Sequence, residues 1–311
     1  KRVALDVRPV IPSRFFSHKS RGAAPTSRIG AYIALMKLRV VELLLVTTVP
    51  TMVLANQGWP SLQLMAVTLA GGTLAAGGAN AINMYIDRDI DKLMVRTQNR
   101  PLVTGALTPR AAMIFAIALE IVAFGVLWVG ANVLAAVLAV SATLFYVFVY
   151  SLWLKRTSKQ NIVIGGAAGA MPVLVGWAAV TNSLGWTPVV LFVVIFLWTP
   201  PHFWALAIRH ADDYKAAGVP MMPVVVSLER TVRSMTVYAV LLTISTLVLI
   251  PVANLGWIYG ITALVFGVAF VIGAIRLGSD PSPKRSMRLF TFSITYVTAI
   301  FVALTVDVLL R

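Results

Sequence analysis

Nine apolar stretches of about 20 residues, joined by short polar loops, constrain this chain more than any other feature it has. They fall near 31–55, 62–87, 110–129, 132–154, 162–181, 187–207, 235–254, 257–276 and 288–310. Each is long enough to cross a hydrocarbon core about 30 Å thick as a helix. Only 12% of the 311 residues are charged, about half the share that a soluble domain uses to cover its exterior. Lipid must therefore be the main solvent, and the expected fold class is an all-α integral membrane protein with nine transmembrane helices.

The basic residues orient it. Arg88, Lys92, Arg96, Arg100 and Arg110 follow the second stretch, and Lys155, Arg156 and Lys159 follow the fourth. Arg209, Lys215, Arg230 and Arg233 follow the sixth, and Arg276, Lys284, Arg285 and Arg288 follow the eighth. The alternate loops carry no charge, so the positive-inside rule places the N-terminus in the cytoplasm. The net charge of +15 then belongs to cytoplasmic loops and the N-terminal segment, and no nucleic-acid partner is expected. Residues 1–28 carry seven basic residues against Asp6 and have no apolar run. They read as a basic, disordered cytoplasmic tail ahead of a transmembrane domain at 29–311, or else as a mitochondrial transit segment. A bacterial plasma membrane is the favoured location, with the mitochondrial inner membrane as the alternative. The absence of cysteine excludes disulfides and thiolate metal sites.

Gly71, Gly72, Gly77 and Gly78 in the second stretch, and Gly165 and Gly169 in the fifth, are the small residues that let membrane helices approach closely. Glu120 and Asp307 lie within apolar runs, where an acid is costly and attracts attention. Glu120 has no obvious partner in the sequence, and Asp307 is near enough to the chain end to snorkel.

Five of the eleven acidic residues fall in two clusters. Asn83, Asp87 and Asp91 are spaced by four at the cytoplasmic end of the second stretch. On a continuous helix each is turned about 40° from the last, so the three share a face and Asp89 points away. An amide and two carboxylates there suit Mg²⁺, which takes one or two protein carboxylates and completes its shell with water and phosphate oxygens. Arg88, Lys92, Arg96 and Arg100 follow as cations for a diphosphate. A second acidic pair, Asp212 and Asp213, follows the sixth stretch on the same side. A transporter also carries intramembrane acids, but near the bilayer midplane; here they gather at one face.

With these motifs the chain resembles the membrane-embedded prenyltransferases of the UbiA superfamily, and within it the branch that farnesylates haem. The superfamily likeness rests on Asn83, Asp87 and Asp91 and on the second acidic loop. The narrower one rests on Asp87-Arg88-Asp89-Ile90-Asp91, Arg96 to Leu102, Tyr150 to Arg156, Thr199 to Leu206, and Asp212-Asp213-Tyr214 leading to Pro220. The resemblance implies a nine-helix bundle around a central cavity open to the cytoplasm. It also implies transfer of farnesyl from farnesyl diphosphate to a vinyl group of haem B, with Mg²⁺ required, haem B as substrate and a haem A synthase as candidate partner. Asn83, Asp87 and Asp91 would hold one ion, and Asp213 with Asp212 would help hold a second. Arg96, Arg100, Lys155 and Arg156 would neutralise the leaving group, with Arg88, Lys92, Tyr150 and Arg209 also in the substrate site. Two departures touch the site: Arg209 stands where the quinone branch has an acid, and the step from Tyr150 to Lys155 is one residue longer. His202 follows Pro200-Pro201 within the sixth stretch and is either a haem contact or a hydrogen-bond partner of a neighbouring helix. His210 beside the acidic loop is a surface or diphosphate contact, and His18 in the tail has no expected role.

Overall fold

The computed structural model describes residues 27–280 and 282–311. The basic tail up to residue 26, with His18, lies outside the described residues. Ser27 caps the first helix, its hydroxyl accepting from the Gly30 amide at 3.0 Å.

The long helices are α1 (Arg28–Met36), α2 (Leu38–Asn56), α3 (Leu62–Ile86), α4 (Pro109–Gly130), α5 (Val133–Thr157), α6 (Asn161–Thr181), α7 (Trp186–Arg209), α8 (Leu228–Val252), α9 (Trp257–Ser279) and α10 (Pro283–Leu309). Their starts follow local chemistry. Ser61, Thr108, Asn132, Ser227 and Ser282 each accept a hydrogen bond from a first-turn amide, and Pro109 and Pro283 occupy first positions where no amide is needed.

Among the described residues eight helices, α3 to α10, are long and apolar enough to cross a bilayer. The expected first span is instead two helices, broken at Lys37. That residue adopts a left-handed conformation with φ 52°, which costs a residue with a Cβ roughly 1–2 kcal/mol. The break is tied to α3, where Asn80 Nδ2 donates to the Met36 carbonyl at 3.1 Å.

Consecutive helices from α2 onward pack on one another, and α10 returns to α2, closing a ring. The second-stretch glycines serve this packing. A Cβ on Gly71 would lie 2.5 Å from the Leu127 side chain, and one on Gly78 would lie 2.5 Å from Glu120 Oε1. Glu120 is not alone, because the Thr143 hydroxyl on α5 donates to its Oε1 at 3.1 Å. The largest apolar core lies among α6 to α10. Polar bonds stitch that half together: Trp198 Nε1 donates to the Ser293 carbonyl at 2.7 Å, and Tyr259 Oη to the Thr246 carbonyl at 3.1 Å.

Asp307 does not snorkel. It is 3% exposed and accepts from the amides of Gly256 at 2.7 Å and Tyr259 at 3.3 Å, at the start of α9. Arg311 pairs with it. A carboxylate from α10 thus caps α9, whose preceding residue, Gly256, has no side chain to do so. Asp307→Ala is expected to lower stability by about 2 kcal/mol, the upper end for loss of a cap. Asp307→Asn, which keeps one acceptor, should lose less, and thermal unfolding in detergent reads both.

Candidate functional site

α3 ends at Ile86, so Asn83, Asp87 and Asp91 are not on one continuous helix. Asp87 is the C-terminal cap residue and Asp91 sits in a 3₁₀ turn, Ile90–Lys92. The four-residue spacing nevertheless survives in the hydrogen bonds. The Asp87 amide donates to the Asn83 carbonyl and the Asp91 amide to the Asp87 carbonyl, both at 2.9 Å. The side chains are therefore stacked as a helical spacing would stack them, and all three are buried.

Each has fixed partners. Asn83 Nδ2 donates to Asp87 Oδ2 at 2.8 Å and to Ser151 Oγ at 3.0 Å, and its Oδ1 accepts from Lys37 Nζ at 3.2 Å. Asp87 Oδ2 also takes a hydrogen bond from Lys155. Asp91 Oδ2 pairs with Arg100 Nη1 at 2.5 Å. Asp89 is exposed and turned away, as the spacing predicts. Arg156 grips its two oxygens at 2.7 Å each and also donates to the Ile86 carbonyl at 2.9 Å, closing the end of α3. The hydrogen bond from Arg156 holds the Asp89 carboxyl down at about 2. The pair is thus complete at neutral pH and is lost only as pH falls from the ordinary carboxylate range toward that value.

The second acidic loop meets the first. Asp213, buried in the short helix Ala211–Ala216, accepts from the Val95 amide at 3.2 Å. Its neighbour Tyr214 accepts from Arg96 at 3.2 Å, and the Arg96 guanidinium lies 5.6 Å from the Tyr214 ring centre. Asp212 is exposed.

These groups stand at one end of a cavity of about 420 Å³, within the range of small-molecule sites. Asn83, Asp91, Arg96, Arg100, Tyr150, Lys155 and Lys37 line that end. The rest of the wall is mostly apolar and small, including Gly72, Ala75 and Ala76 of α3 and Gly165, Gly169 and Pro172 of α6. Asp87 lies just behind, reached through Asn83 and Lys155.

The extra residue between Tyr150 and Lys155 has a structural answer. Phe145–Leu154 is π-helical, and the Lys155 amide donates to the Tyr150 carbonyl five residues back. Such a turn brings residues five apart onto one face, so Tyr150 and Lys155 both reach the cavity wall. Tyr146 stacks on Tyr150 with ring centres 5.2 Å apart.

The remaining expected site residues stand elsewhere. Arg88 folds back to the Tyr85 carbonyl at 2.6 Å and over the Tyr85 ring. Lys92 is exposed, and Arg209 is not part of the cavity wall. His202 makes the interhelical hydrogen bond of its second reading. Its Nδ1 is 2.6 Å from Ser293 Oγ on α10, and its ring lies between Trp198 and Phe290 at 4.2 and 4.5 Å. It is buried behind the wall that Trp198 and Phe203 provide.

The residues fit a divalent cation. Oδ1 of Asp87, Oδ1 of Asp91 and Oδ2 of Asp213 are buried without a hydrogen-bond partner, and all are hard oxygen donors. Among the described residues no three His, Asp or Glu side chains converge on one point. An ion here would therefore take few protein oxygens and draw the rest of its shell from diphosphate and water.

The UbiA prenyltransferase family model matches residues 44–299. A "Protoheme IX farnesyltransferase" of Frankia alni is 54% identical over 289 residues, covering 90% of this chain and 98% of that one. Among solved structures, one described as a digeranylgeranylglyceryl phosphate synthase superposes with a TM-score of 0.76 at 17% identity, covering 91% of this chain and 99% of that one. A UbiA homolog from Archaeoglobus fulgidus bound to DMAPP and Mg²⁺ superposes at 0.59 with 18% identity, covering 89% and 99%. The structures share the fold, the family model covers most of the chain, and this protein belongs to the UbiA prenyltransferase family.

Proposed function

We propose that this chain transfers the farnesyl group of farnesyl diphosphate to a vinyl group of haem B, giving haem O and diphosphate, in a bacterial plasma membrane. The observation that carries the reaction class is the placing of Asp91 with Lys37, Arg96, Arg100 and Lys155 on the wall of a largely apolar cavity, with Asp87 bonded to Lys155 and Asp213 to the Val95 amide beside it. Acids and bases so interleaved suit a divalent cation and a polyanion together, and the apolar remainder suits a hydrocarbon chain. The acceptor is supported by the likeness to the Frankia alni protein over 90% of the chain. Nine membrane crossings with a cytoplasmic N-terminus fit the basic loops, with α1 and α2 together as the first crossing. The product would pass to a haem A synthase.

The residues present fit Mg²⁺ at Asn83, Asp87 and Asp91, with Asp213 offering a further oxygen. When bound, it would withdraw charge from the diphosphate and ease cleavage of the C1–oxygen bond. Arg96, Arg100 and Lys155 hold the departing diphosphate and stabilise its growing charge. The allylic cation is taken up by the vinyl carbon of haem. Water then adds to the adjacent carbon and gives up a proton, leaving a hydroxyl. Small residues of α3 and α6 keep water from the cation until the acceptor reaches it.

A turnover assay on detergent-purified protein with haem B and farnesyl diphosphate tests this. Haem should gain the mass of one farnesyl and one hydroxyl group with Mg²⁺ present, and should stay unmodified in EDTA. Unmodified haem beside a prenylated aromatic acceptor would overturn the acceptor and leave the reaction class standing.

A further inference from the structure

Lys37 stands at the break between α1 and α2 in a left-handed conformation, which glycine adopts without strain. A lysine there gives up backbone ease, and its side chain shows what is gained. The ammonium lies on the cavity wall and donates to Asn83 Oδ1 at 3.2 Å.

The three oxygen donors of the first motif each carry one cation. Lys37 holds Asn83 Oδ1, Lys155 holds Asp87 Oδ2, and Arg100 holds Asp91 Oδ2. Two of these are ion pairs; the bond from Lys37 to a neutral amide is the weakest, and so the first to yield. Asn83 cannot turn its oxygen elsewhere, since its Nδ2 donates to both Asp87 and Ser151. An ion that takes Asn83 Oδ1 therefore competes with the Lys37 ammonium for that oxygen and repels it, so that the ammonium turns to another anion. A diphosphate arriving with the ion supplies one.

We propose that Lys37 couples metal to diphosphate: it opposes a lone divalent ion at Asn83 and transfers to the diphosphate when both arrive, so the two ligands bind cooperatively. This rests on the metal reading above. By linkage each ligand raises the other's affinity by the same factor.

The test is equilibrium dialysis of the full chain in detergent, comparing bound Mn²⁺ at matched free Mn²⁺ with and without inorganic pyrophosphate. Pyrophosphate should raise Mn²⁺ affinity at least about 10-fold in the natural protein, within the usual span of such couplings. In Lys37→Met and Lys37→Gly, Mn²⁺ alone should bind more tightly and the enhancement should shrink several-fold. Glycine keeps the left-handed break without strain, so it reports even if the methionine variant folds poorly. An unchanged enhancement in the glycine variant, or weaker binding of Mn²⁺ alone, overturns the role of Lys37. If Mn²⁺ binding survives in Asp87→Ala/Asp91→Ala, the metal assignment itself fails and this inference fails with it.

Discussion

Asp87→Asn/Asp91→Asn should reduce farnesyl transfer to haem by at least about 10²-fold, the scale of losing one preorganised charge-stabilising group. The asparagine pair is more informative than alanine because of what surrounds the two acids. An amide oxygen at position 87 still accepts from Lys155 and one at 91 still accepts from Arg100, the partners each has now. The cavity end therefore keeps its shape while it loses two negative charges and the two buried, unpartnered carboxylate oxygens. Alanine at both sites would strand Lys155 and Arg100 as well, mixing a folding defect with a chemical one. Product formation read by mass spectrometry, with thermal unfolding as the control, separates the two effects. Full activity in a well-folded asparagine pair would remove these residues from the reaction.

Much of the fold was legible because lipid imposes a simple grammar on sequence. Runs of about 20 apolar residues mark crossings, and eight of the nine expected stretches are such helices among the described residues. The first stretch is covered by α1 and α2, and the break between them has a physical reason for leaving no trace in the pattern. Lys37, Arg39 and Glu42 were visible as polar intrusions, but a left-handed residue leaves no mark on hydropathy. Its tie to Asn80 is a contact between residues 44 apart in sequence, which no local pattern records. Asp307 failed likewise: its partners are amides of a helix start 51 and 48 residues away.

The site was legible where chemistry repeats at short range. Asn83, Asp87 and Asp91 stay stacked because the turn after α3 preserves the four-residue hydrogen bonds, although the helix ends. Asp212 and Asp213 were indistinguishable in sequence, and only the short helix carrying them decides that Asp213 faces inward. Lys37 is not among the expected site residues; its one signal in the sequence is a cation within the first apolar stretch. Ser151 and Tyr146 gave no signal, because their roles depend on a π-helical segment that hydropathy cannot show. The partner of His202 was not legible either, because Ser293 lies 91 residues on.

Lys155→Met should lower both activity and stability, and the two losses should respond differently to a second change. Lys155 is 12% exposed and Asp87 is fully buried. Arg156 is 3.9 Å from Asp87 Oδ1, beyond hydrogen-bond reach, and is committed to Asp89. Removing the ammonium therefore leaves a buried carboxylate supported by Asn83 alone, at a cost of about 3 kcal/mol, the lower end for breaking a buried pair from one side. For a chain of this size that is a fall in Tm of roughly 5 °C. Adding Asp87→Asn removes the stranded charge and should restore most of the stability, since replacing both members of a buried pair is often neutral. It should not restore turnover, because the cavity then lacks a cation for diphosphate and a carboxylate for the metal. A double variant that stayed as unstable as Lys155→Met would show that the lysine acts by packing against Tyr150, whose ring centre is 5.9 Å from its Nζ. If turnover returned with stability, Lys155 would be a structural counter-charge and the diphosphate would be held by Arg96 and Arg100 without it.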